Sequence, residues 1–280
     1  MKSGALAAVG LCARQELVLS ARSRWTQIFA AVFAALSIAV AASGYVLSGG
    51  GGFEDFARTA TSLASLVVLL VPVTALTIGV LQLAPERGAA EMLYSQPVAR
   101  RAILLGRVLG LFIALAGAQT IGLGAAGLVI FWNAGGDGLA AYGLLAVASY
   151  ALTAIFLGIA ALLGAGGAIR RSRALAFALI VWFVSVVLFD VVVLAIATLL
   201  PSGYASRLLV TAVIVNPADA IRTATLLAIH GKAAFGAASL ALLRLAGGPA
   251  GAGLLLAASA LFWTLAPLAL AGRRIERADL

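Results

Sequence analysis

The chain has 280 residues, of which 63% are hydrophobic and only 10% are charged, and its mean hydropathy is +1.12. Soluble domains are roughly 45–50% apolar and about 25% charged, so this composition excludes a water-soluble globule and predicts an all-α integral membrane protein. The basic residues flank apolar runs and do not form the basic stripe of a nucleic-acid binder. One Cys, one His and two Met exclude an intramolecular disulfide and a Cys/His metal cluster built from this chain alone.

The first 25 residues predict an amphipathic helix that precedes the first membrane span. One helical stripe is apolar and can rest in the acyl boundary of a membrane surface; it comprises Leu6, Val9, Ala13 and Leu17. Trp25, next to basic residues, marks where the chain turns into the membrane. Both plain anchoring and the role of a moving elbow fit this pattern.

Six apolar stretches are long enough to cross about 30 Å of hydrocarbon, which takes roughly 20 helical residues. Their predicted bounds are about 26–47, 59–83, 108–131, 140–168, 174–200 and 250–272. Pro72 is expected to kink the second span. Residues 1–280 are therefore predicted to form a single transmembrane domain.

Most of the 19 Lys and Arg residues lie on one side of these spans. They are grouped within residues 2–24, 87–107, 170–173 and 273–277. Because cytoplasmic loops carry an excess of basic residues, both termini are predicted to be cytoplasmic. The expected location is the bacterial inner membrane, with a multi-pass topology.

The connection between the second and third spans predicts a short cytoplasmic helix over about 85–95. Pro85 suits a first helical turn, Glu86 follows where the helix dipole favours an anion, and Pro97 would end the helix. Apolar side chains beside charges are typical of a docking surface, and a helix folded back onto the membrane face is the alternative. The candidate docking residues are Glu86, Arg87, Gly88, Glu91, Met92, Leu93 and Tyr94.

The segment between the fifth and sixth spans, 201–249, predicts helices on the periplasmic side. Asn216 is a favourable N-cap and Pro217 a favourable first helical residue. Asp219 lies in the first turn, and Arg222 follows three residues later for a side-chain pair. This layer is too apolar for a free loop, so it must lie on lipid, re-enter the bundle or cover a partner protein.

Asp190 is the acidic residue that falls inside a predicted span. An ionisable group in hydrocarbon costs about 2.5–3.5 kcal/mol, so Asp190 is expected to face the bundle interior or water. Two interpretations are open: a polar lining or gate residue, or a structural partner of Arg207 or Arg222.

The sequence lacks the motifs of an enzyme. It contains no Walker A sequence, no HExxH, no GxSxG and no second intramembrane aspartate for a proteolytic dyad. We therefore expect a non-catalytic subunit that binds no cofactor or metal of its own. If ATP drives it, another subunit binds the nucleotide.

The order of these features resembles the ABC transporter permeases of the type-2 exporter class. The loop before the third span is similar to the class pattern at Glu86, Gly88, Glu91, Pro97, Val98 and Arg100, with Ala89 where Thr is usual. A narrower similarity is to permease subunits of transporters for nitrous oxide reductase maturation. It is carried by the stretches RQELVLSARSRW, VWFVSVVLFDVVVLA, VNPADAIR and FGAASLALLRL.

The resemblance implies a homodimer that carries two copies of a cytoplasmic ABC ATPase, in which ATP and Mg would be bound. It also implies a periplasmic β-helical partner that takes part in assembling the copper–sulfur centre of the reductase. The helix around Glu86 would seat in a groove of the ATPase. The residues that would contact the periplasmic protein are Asn216, Pro217, Asp219 and Arg222.

Several alternatives stay open from the residues. The permease could export a sulfur species or only relay motion to its outer partner. It could also be a type-2 exporter for a lipid, a drug or a peptide. A stand-alone ion-coupled carrier is the third alternative, and it predicts inverted internal repeats, of which the sequence contains no convincing example.

Overall fold

The computed structural model describes residues 2–46, 53–84, 98–134, 138–164, 170–230 and 242–277. Within these ranges the chain is helical almost throughout and forms no strand. The predicted all-α architecture is therefore confirmed.

The helices follow one another along the chain with short connections. The first five are α1 (Lys2–Arg22), α2 (Arg24–Val46), α3 (Phe53–Leu83), α4 (Arg100–Ala134) and α5 (Leu139–Gly164). The next long helix consists of α6 (Arg171–Trp182), a π-helical turn (Phe183–Leu188) and α7 (Phe189–Leu199). The last three are α8 (Ser202–Val215), α9 (Pro217–His230) and α10 (Pro249–Arg277).

Six of these helices are long and apolar enough to cross a membrane, namely α2, α3, α4, α5, the continuous α6–α7 helix and α10. The six predicted spans are therefore confirmed, with ends that move by a few residues. The largest shift is in the third span, which begins at Arg100 and not near residue 108. Its arginines are helical because their side chains find partners on neighbouring helices, as Arg100 does at the Ile275 carbonyl, 3.2 Å away.

The basic helix ends meet at one end of the bundle, which we call the arginine-rich end. Arg101 of α4 forms an ion pair with Glu276 of α10, and Arg274 donates to the Leu162 carbonyl of α5 at 3.3 Å. Arg171 of α6 donates to the Leu81 carbonyl of α3. The ends of five spans are thereby linked at one boundary, as the charge pattern of the sequence indicates.

The centre of the bundle is formed by α3 and α5, which contact most of the other helices. Their fully buried side chains include Leu63, Leu76, Leu152, Ile155 and Phe156. Pro72 lies inside the continuous helix α3. The α6–α7 helix lies at the periphery, where α6 packs on α3.

A buried polar cluster joins α4 to α5 at the level of the membrane spans. Gln119 donates to the Thr153 hydroxyl at 2.6 Å and accepts from the Ser149 hydroxyl at 2.7 Å. All three side chains are buried. Because these groups satisfy one another where no water is available, the cluster specifies one register between the two helices.

The N-terminal helix α1 packs closely on the third span through glycines. A Cβ atom at Gly106 would lie 2.7 Å from the Val9 carbonyl oxygen, and one at Gly110 would lie 2.8 Å from the Cβ atom of Glu16. This spacing of small residues is the usual means by which helices approach closely in membranes.

The sequence expectation that the apolar stripe of α1 rests in lipid is wrong at Ala13, which is buried against the protein. The packed face also includes Glu16 and Ser20, which the stripe did not contain. The reason is the absence of side chains at Gly106 and Gly110, which allows α1 to dock on α4. Leu6 of the predicted stripe is exposed.

We predict that Gly110→Ala displaces α1 and lowers the thermal unfolding midpoint in detergent by several degrees, because the added methyl meets the Ala13 carbonyl and Glu16. The matched control is Gly117→Ala on the same helix, where a Cβ atom would meet nothing within 4 Å. That control should be neutral or slightly stabilising, since Gly costs roughly 0.5–1 kcal/mol relative to Ala in a helix. Equal effects of both substitutions would contradict the close packing.

Candidate functional site

The outer polar residues that the sequence singled out come together in the structure. We call Asp190, Asn216, Asp219 and Arg222 the outer polar cluster. It forms where α8 and α9 meet with a bend of 102° and where α9 contacts the π-helical turn of the fifth span. The bent pair is apolar enough to be a broken span or a re-entrant hairpin, and we treat it as lying outside the six spans.

Asn216 is the centre of this cluster and is 3% exposed. Its side-chain oxygen accepts from the Ala218 amide at 3.1 Å, and Pro217 is the first residue of α9, so the predicted N-cap is confirmed. Its side-chain nitrogen donates to Asp219 Oδ2 at 2.9 Å and to the Ser185 carbonyl at 2.7 Å. One side chain therefore starts α9, orients Asp219 and holds a carbonyl of the π-helical turn.

The bend itself leaves backbone carbonyls at the end of α8 without donors in the same helix. Ser259 of α10 donates to the Ile214 carbonyl at 2.6 Å, and Trp263 donates to the Val215 carbonyl at 2.9 Å. These residues were missed at the sequence level because nothing near them in the chain indicates a partner some 45 residues away. The last span thus stabilises the bend beside Asn216.

Asp190 forms an ion pair with Arg222, with 3.0 Å between Oδ2 and Nη1. Of the two partners proposed from the sequence, the structure selects Arg222. The expected pair of Arg222 with Asp219 is not the one formed, because Asp190 approaches from α7 and Asp219 is held by the amide of Asn216. An unpaired carboxylate within a span is costly, and the guanidinium group of Arg222 offsets part of that cost.

Asp190 also lines a cavity of about 350 Å³ between α7, α8 and α9, together with Asp219 and Arg222. The apolar part of the lining includes Leu194 and Leu209. Asp190 therefore fits both interpretations made from the sequence: it is a structural partner of Arg222, and it lines a cavity. Arg207 does not line this cavity.

Burial and the neighbouring carboxylate of Asp190 raise the pKa of Asp219 to about 7, against the smaller opposing effects of Asn216 and Arg222. Two carboxyl groups this close resist being ionised together. The pKa of Asp219 therefore lies close to neutral pH, and its Oδ2 atom accepts a hydrogen bond from the Asn216 amide.

The predicted docking residues Glu86, Arg87, Gly88, Glu91, Met92, Leu93 and Tyr94 lie outside the described residues. The structure does describe the helices on either side of them. Their predicted role stays a prediction.

The end of α3 that precedes this segment is held by side chains from two other helices, α1 and α4. Arg107 of α4 pairs with Glu16 of α1, with 2.9 Å between Nε and Oε2, and donates to the Gln82 carbonyl. Ser20 donates to the side chain of Gln82 at 2.6 Å. We call Glu16, Ser20, Gln82 and Arg107 the Arg107 node. Glu16 and Arg107 are largely buried, with side-chain exposures of 8% and 16%.

The sequence did not single out the Arg107 node, although it counted Arg107 among the basic flanking residues. Cationic side chains near a helix C-terminus satisfy its last carbonyls and interact favourably with its dipole. At α3 this interaction comes from α4, so only the packing of the two helices reveals it.

Residues 11–280 match the sequence profile of the ABC-2 family transporter proteins. The chain belongs to this family. It is 35% identical over 235 residues to the probable ABC transporter permease protein NosY of Stutzerimonas stutzeri, a match that covers 81% of this chain and 85% of that protein. The protein of the same description from Pseudomonas aeruginosa is also 35% identical over 235 residues, covering 82% and 85%.

This ABC-2 permease is a multi-span membrane protein of a transporter that acts with an ATPase partner. Its fifth span connects the two sites described above. At one end Arg171 donates to the Leu81 carbonyl, next to the Arg107 node. Nineteen residues further on, about 28 Å along a helix, Asp190 of the same span holds Arg222.

We predict that Asn216→Ala costs about 1 kcal/mol of local helix stability through the lost cap and also releases the Ser185 carbonyl. Amide hydrogen exchange should accelerate in both α9 and the π-helical turn. The matched control is Asn133→Ala, because the Asn133 amide is exposed and bonds within its own helix, to the Val129 carbonyl at 2.7 Å. Faster exchange confined to α9 would contradict the link between the two elements.

The raised pKa of Asp219 predicts a pH dependence of stability. The folded protein keeps a proton that the unfolded chain releases near pH 4, so this contribution is present at low pH and is lost as pH rises toward about 7. The thermal midpoint of the unmodified protein minus that of Asp219→Asn should therefore be larger at about pH 5 than at about pH 8. A difference that does not change over this range, or one that Glu276→Gln reproduces, would contradict the prediction.

Proposed function

We propose that this permease relays ATP hydrolysis in a cytoplasmic ATPase to a periplasmic protein that assembles the copper–sulfur centre of nitrous oxide reductase. The observation that carries the relay is the fifth span, which contacts the end of α3 through Arg171 and the outer helix α9 through Asp190. The sequence resemblance supports nitrous oxide reductase as the enzyme whose maturation this permease serves. The match to two NosY permeases supports that resemblance.

The arginine-rich end is proposed to face the cytoplasm of a bacterial cell, with both termini on that side of the inner membrane. The segment with Glu86, Arg87 and Glu91 would seat in a groove of a separate ATPase subunit, which binds ATP and Mg. Supporting this placement, the segment leaves α3 next to the Arg107 node, where side chains of α1 and α4 hold the last turn of α3. A displacement of the segment would therefore move α1, α3 and α4 together.

A second copy of the chain is proposed to cover the fifth span, so that a homodimer carries two ATPase copies. Large apolar side chains line the outside of this span, among them Phe177, Ile180 and Val184. The Asp190–Arg222 pair is also accessible, with both side chains 45% exposed. A charged pair facing lipid is costly, so protein cover or trapped water stabilises it.

On the outer side, Asn216, Pro217, Asp219 and Arg222 are proposed to move with the fifth span and to contact the periplasmic partner. A displacement of the fifth span would be transmitted to Arg222 through its ion pair with Asp190. It would be transmitted to Asn216 through the hydrogen bond to the π-helical turn. This arrangement favours relayed motion as the main role. In a second version of this proposal, the permease also exports a sulfur species across the membrane.

A type-2 exporter for an apolar cargo is the second candidate. A cavity of about 610 Å³ lies between α5, α9 and α10, and its lining is almost wholly apolar, with Val147, Ile221 and Leu256 among its residues. A lipid or another apolar molecule fits this lining better than a sulfur anion does, because no charged side chain lines the cavity.

We predict that the double substitution Glu86→Lys with Arg87→Glu uncouples the ATPase, because the two adjacent charges at the start of the proposed docking helix are reversed. Maturation of the copper–sulfur centre, measured by the optical absorption of that centre, should be lost. The permease should still fold and reach the membrane. Arg14→Glu, an exposed charge reversal on α1, should leave maturation intact.

Three outcomes would count against the proposal. Full maturation with the Glu86→Lys, Arg87→Glu permease would remove the docking role. Permease purified from native membranes without an ATPase, yet fully active in vesicles, would favour the stand-alone carrier. Normal reductase maturation in cells that lack the permease, with loss of an apolar compound from their outer leaflet, would favour the second candidate.

A further inference from the structure

A groove of about 390 Å³ opens between the arginine-rich ends of α4 and α10. Its walls are aliphatic, and the small residues of α10 at its base leave the space open. Its lining includes Leu104, Leu105, Leu265, Leu268, Ala269 and Gly272. Leu105 and Leu265 are exposed to the surroundings of the bundle, so the groove is open on its lipid side.

Two cations stand at the mouth of this groove, Arg101 from α4 and Arg273 from α10. Arg101 passes over Gly272, where its Cγ atom lies 3.6 Å from the position of a glycine Cβ atom, and it forms an ion pair with Glu276. Arg273 is exposed and has no hydrogen-bond or ion-pair partner among the residues that the structure describes. The mouth therefore carries one neutralised cation and one free cation above an aliphatic channel.

We propose that this groove binds one anionic phospholipid. The phosphate would lie between Arg273 and Arg101, and an acyl chain would lie between the leucines of α4 and α10. Basic pockets between transmembrane helices at the membrane boundary are the sites where anionic headgroups bind. From Arg273 to Leu265 is eight residues, about 12 Å of helix, so the charge and the aliphatic walls match the headgroup and the upper acyl chain of one lipid.

Charge and shape together select this occupant. A zwitterionic lipid of the same chain length would fill the channel but would bring no net charge to Arg273. A free phosphate would pair with Arg273 but would leave the leucines of the groove uncovered. The inference does not depend on the cargo or on which side faces the cytoplasm, since the arginine-rich end lies at a membrane–water boundary in either orientation.

A lipid at this place would join the ends of the third and sixth spans. Arg101 lies six residues from Arg107, on the same helix, so the bound lipid would stabilise the start of α4 beside the Arg107 node. Anionic lipid is thereby expected to reinforce the helix ends that flank the segment at 85–97.

Native mass spectrometry of the purified full chain tests the proposal. The probes are palmitoyl-oleoyl phosphatidylglycerol, phosphatidylethanolamine with the same acyl chains, and glycerol 3-phosphate without chains. One phosphatidylglycerol should be retained in preference to the other two. Arg273→Gln should weaken its retention about fivefold, as expected for ~1 kcal/mol per basic residue at an anionic surface.

Matched variants separate the groove from its surroundings. Arg277→Gln removes an exposed cation from the same helix end, outside the groove, and should leave retention unchanged. Ala269→Phe fills the channel and should abolish retention, whereas Leu270→Phe enlarges a neighbouring exposed side chain and should not. Thermal midpoints measured without added lipid show that each variant is folded.

Three results would overturn the proposal. Equal losses with Arg273→Gln and Arg277→Gln would indicate a diffuse charge effect and no site. Equal retention of the two phospholipids would indicate an apolar groove without headgroup selection. Retention of glycerol 3-phosphate as strong as that of phosphatidylglycerol would indicate a phosphate site that does not use the groove.

Discussion

Backbone carbonyls that helix ends and bends leave unpaired are the constraint on which this structure depends. In lipid such a group costs several kcal/mol unless the protein itself supplies a donor. Here the donors come from other helices: Arg107 and Arg171 serve the end of α3, and Ser259 and Trp263 serve the end of α8. In the same way, the side chain of Asn216 donates a hydrogen bond to a carbonyl of the π-helical turn. These irregular points of the backbone are thus also contacts between helices.

These contacts give the bundle a mechanical organisation. Packing of apolar faces alone lets helices slide, because lipid and leucine offer similar surroundings. A hydrogen bond from one helix to a carbonyl of another fixes their relative position along the membrane normal. The fifth span has such a contact at its start, where Arg171 donates to the Leu81 carbonyl, and another at its middle, where Asn216 donates to the Ser185 carbonyl, although most of its surface is open. This combination of two fixed points and a free surface suits an element that transmits displacement.

The two polar sites differ in what their charges do. In the Arg107 node, the Glu16 and Arg107 side chains are largely buried and tie α1 and α4 to the end of α3. In the outer polar cluster the Asp190–Arg222 pair is half-exposed and borders a cavity. A buried pair resists rearrangement because breaking it leaves an uncompensated charge, whereas an accessible pair can exchange partners. The second site is therefore the better place for contact with another protein.

The sequence by itself determined the spans and the local start of α9. Span lengths follow from composition because the hydrocarbon thickness sets how many apolar residues a crossing helix needs. The N-cap at Asn216 follows from residues adjacent in the chain, and so the sequence predicted it correctly. Which carboxylate holds Arg222, why Ala13 faces α4, and which donors serve the bend at Asn216 were decided only by the tertiary structure. Those contacts join residues far apart in the chain, and their geometry depends on how closely the helices pack, which local pattern does not encode.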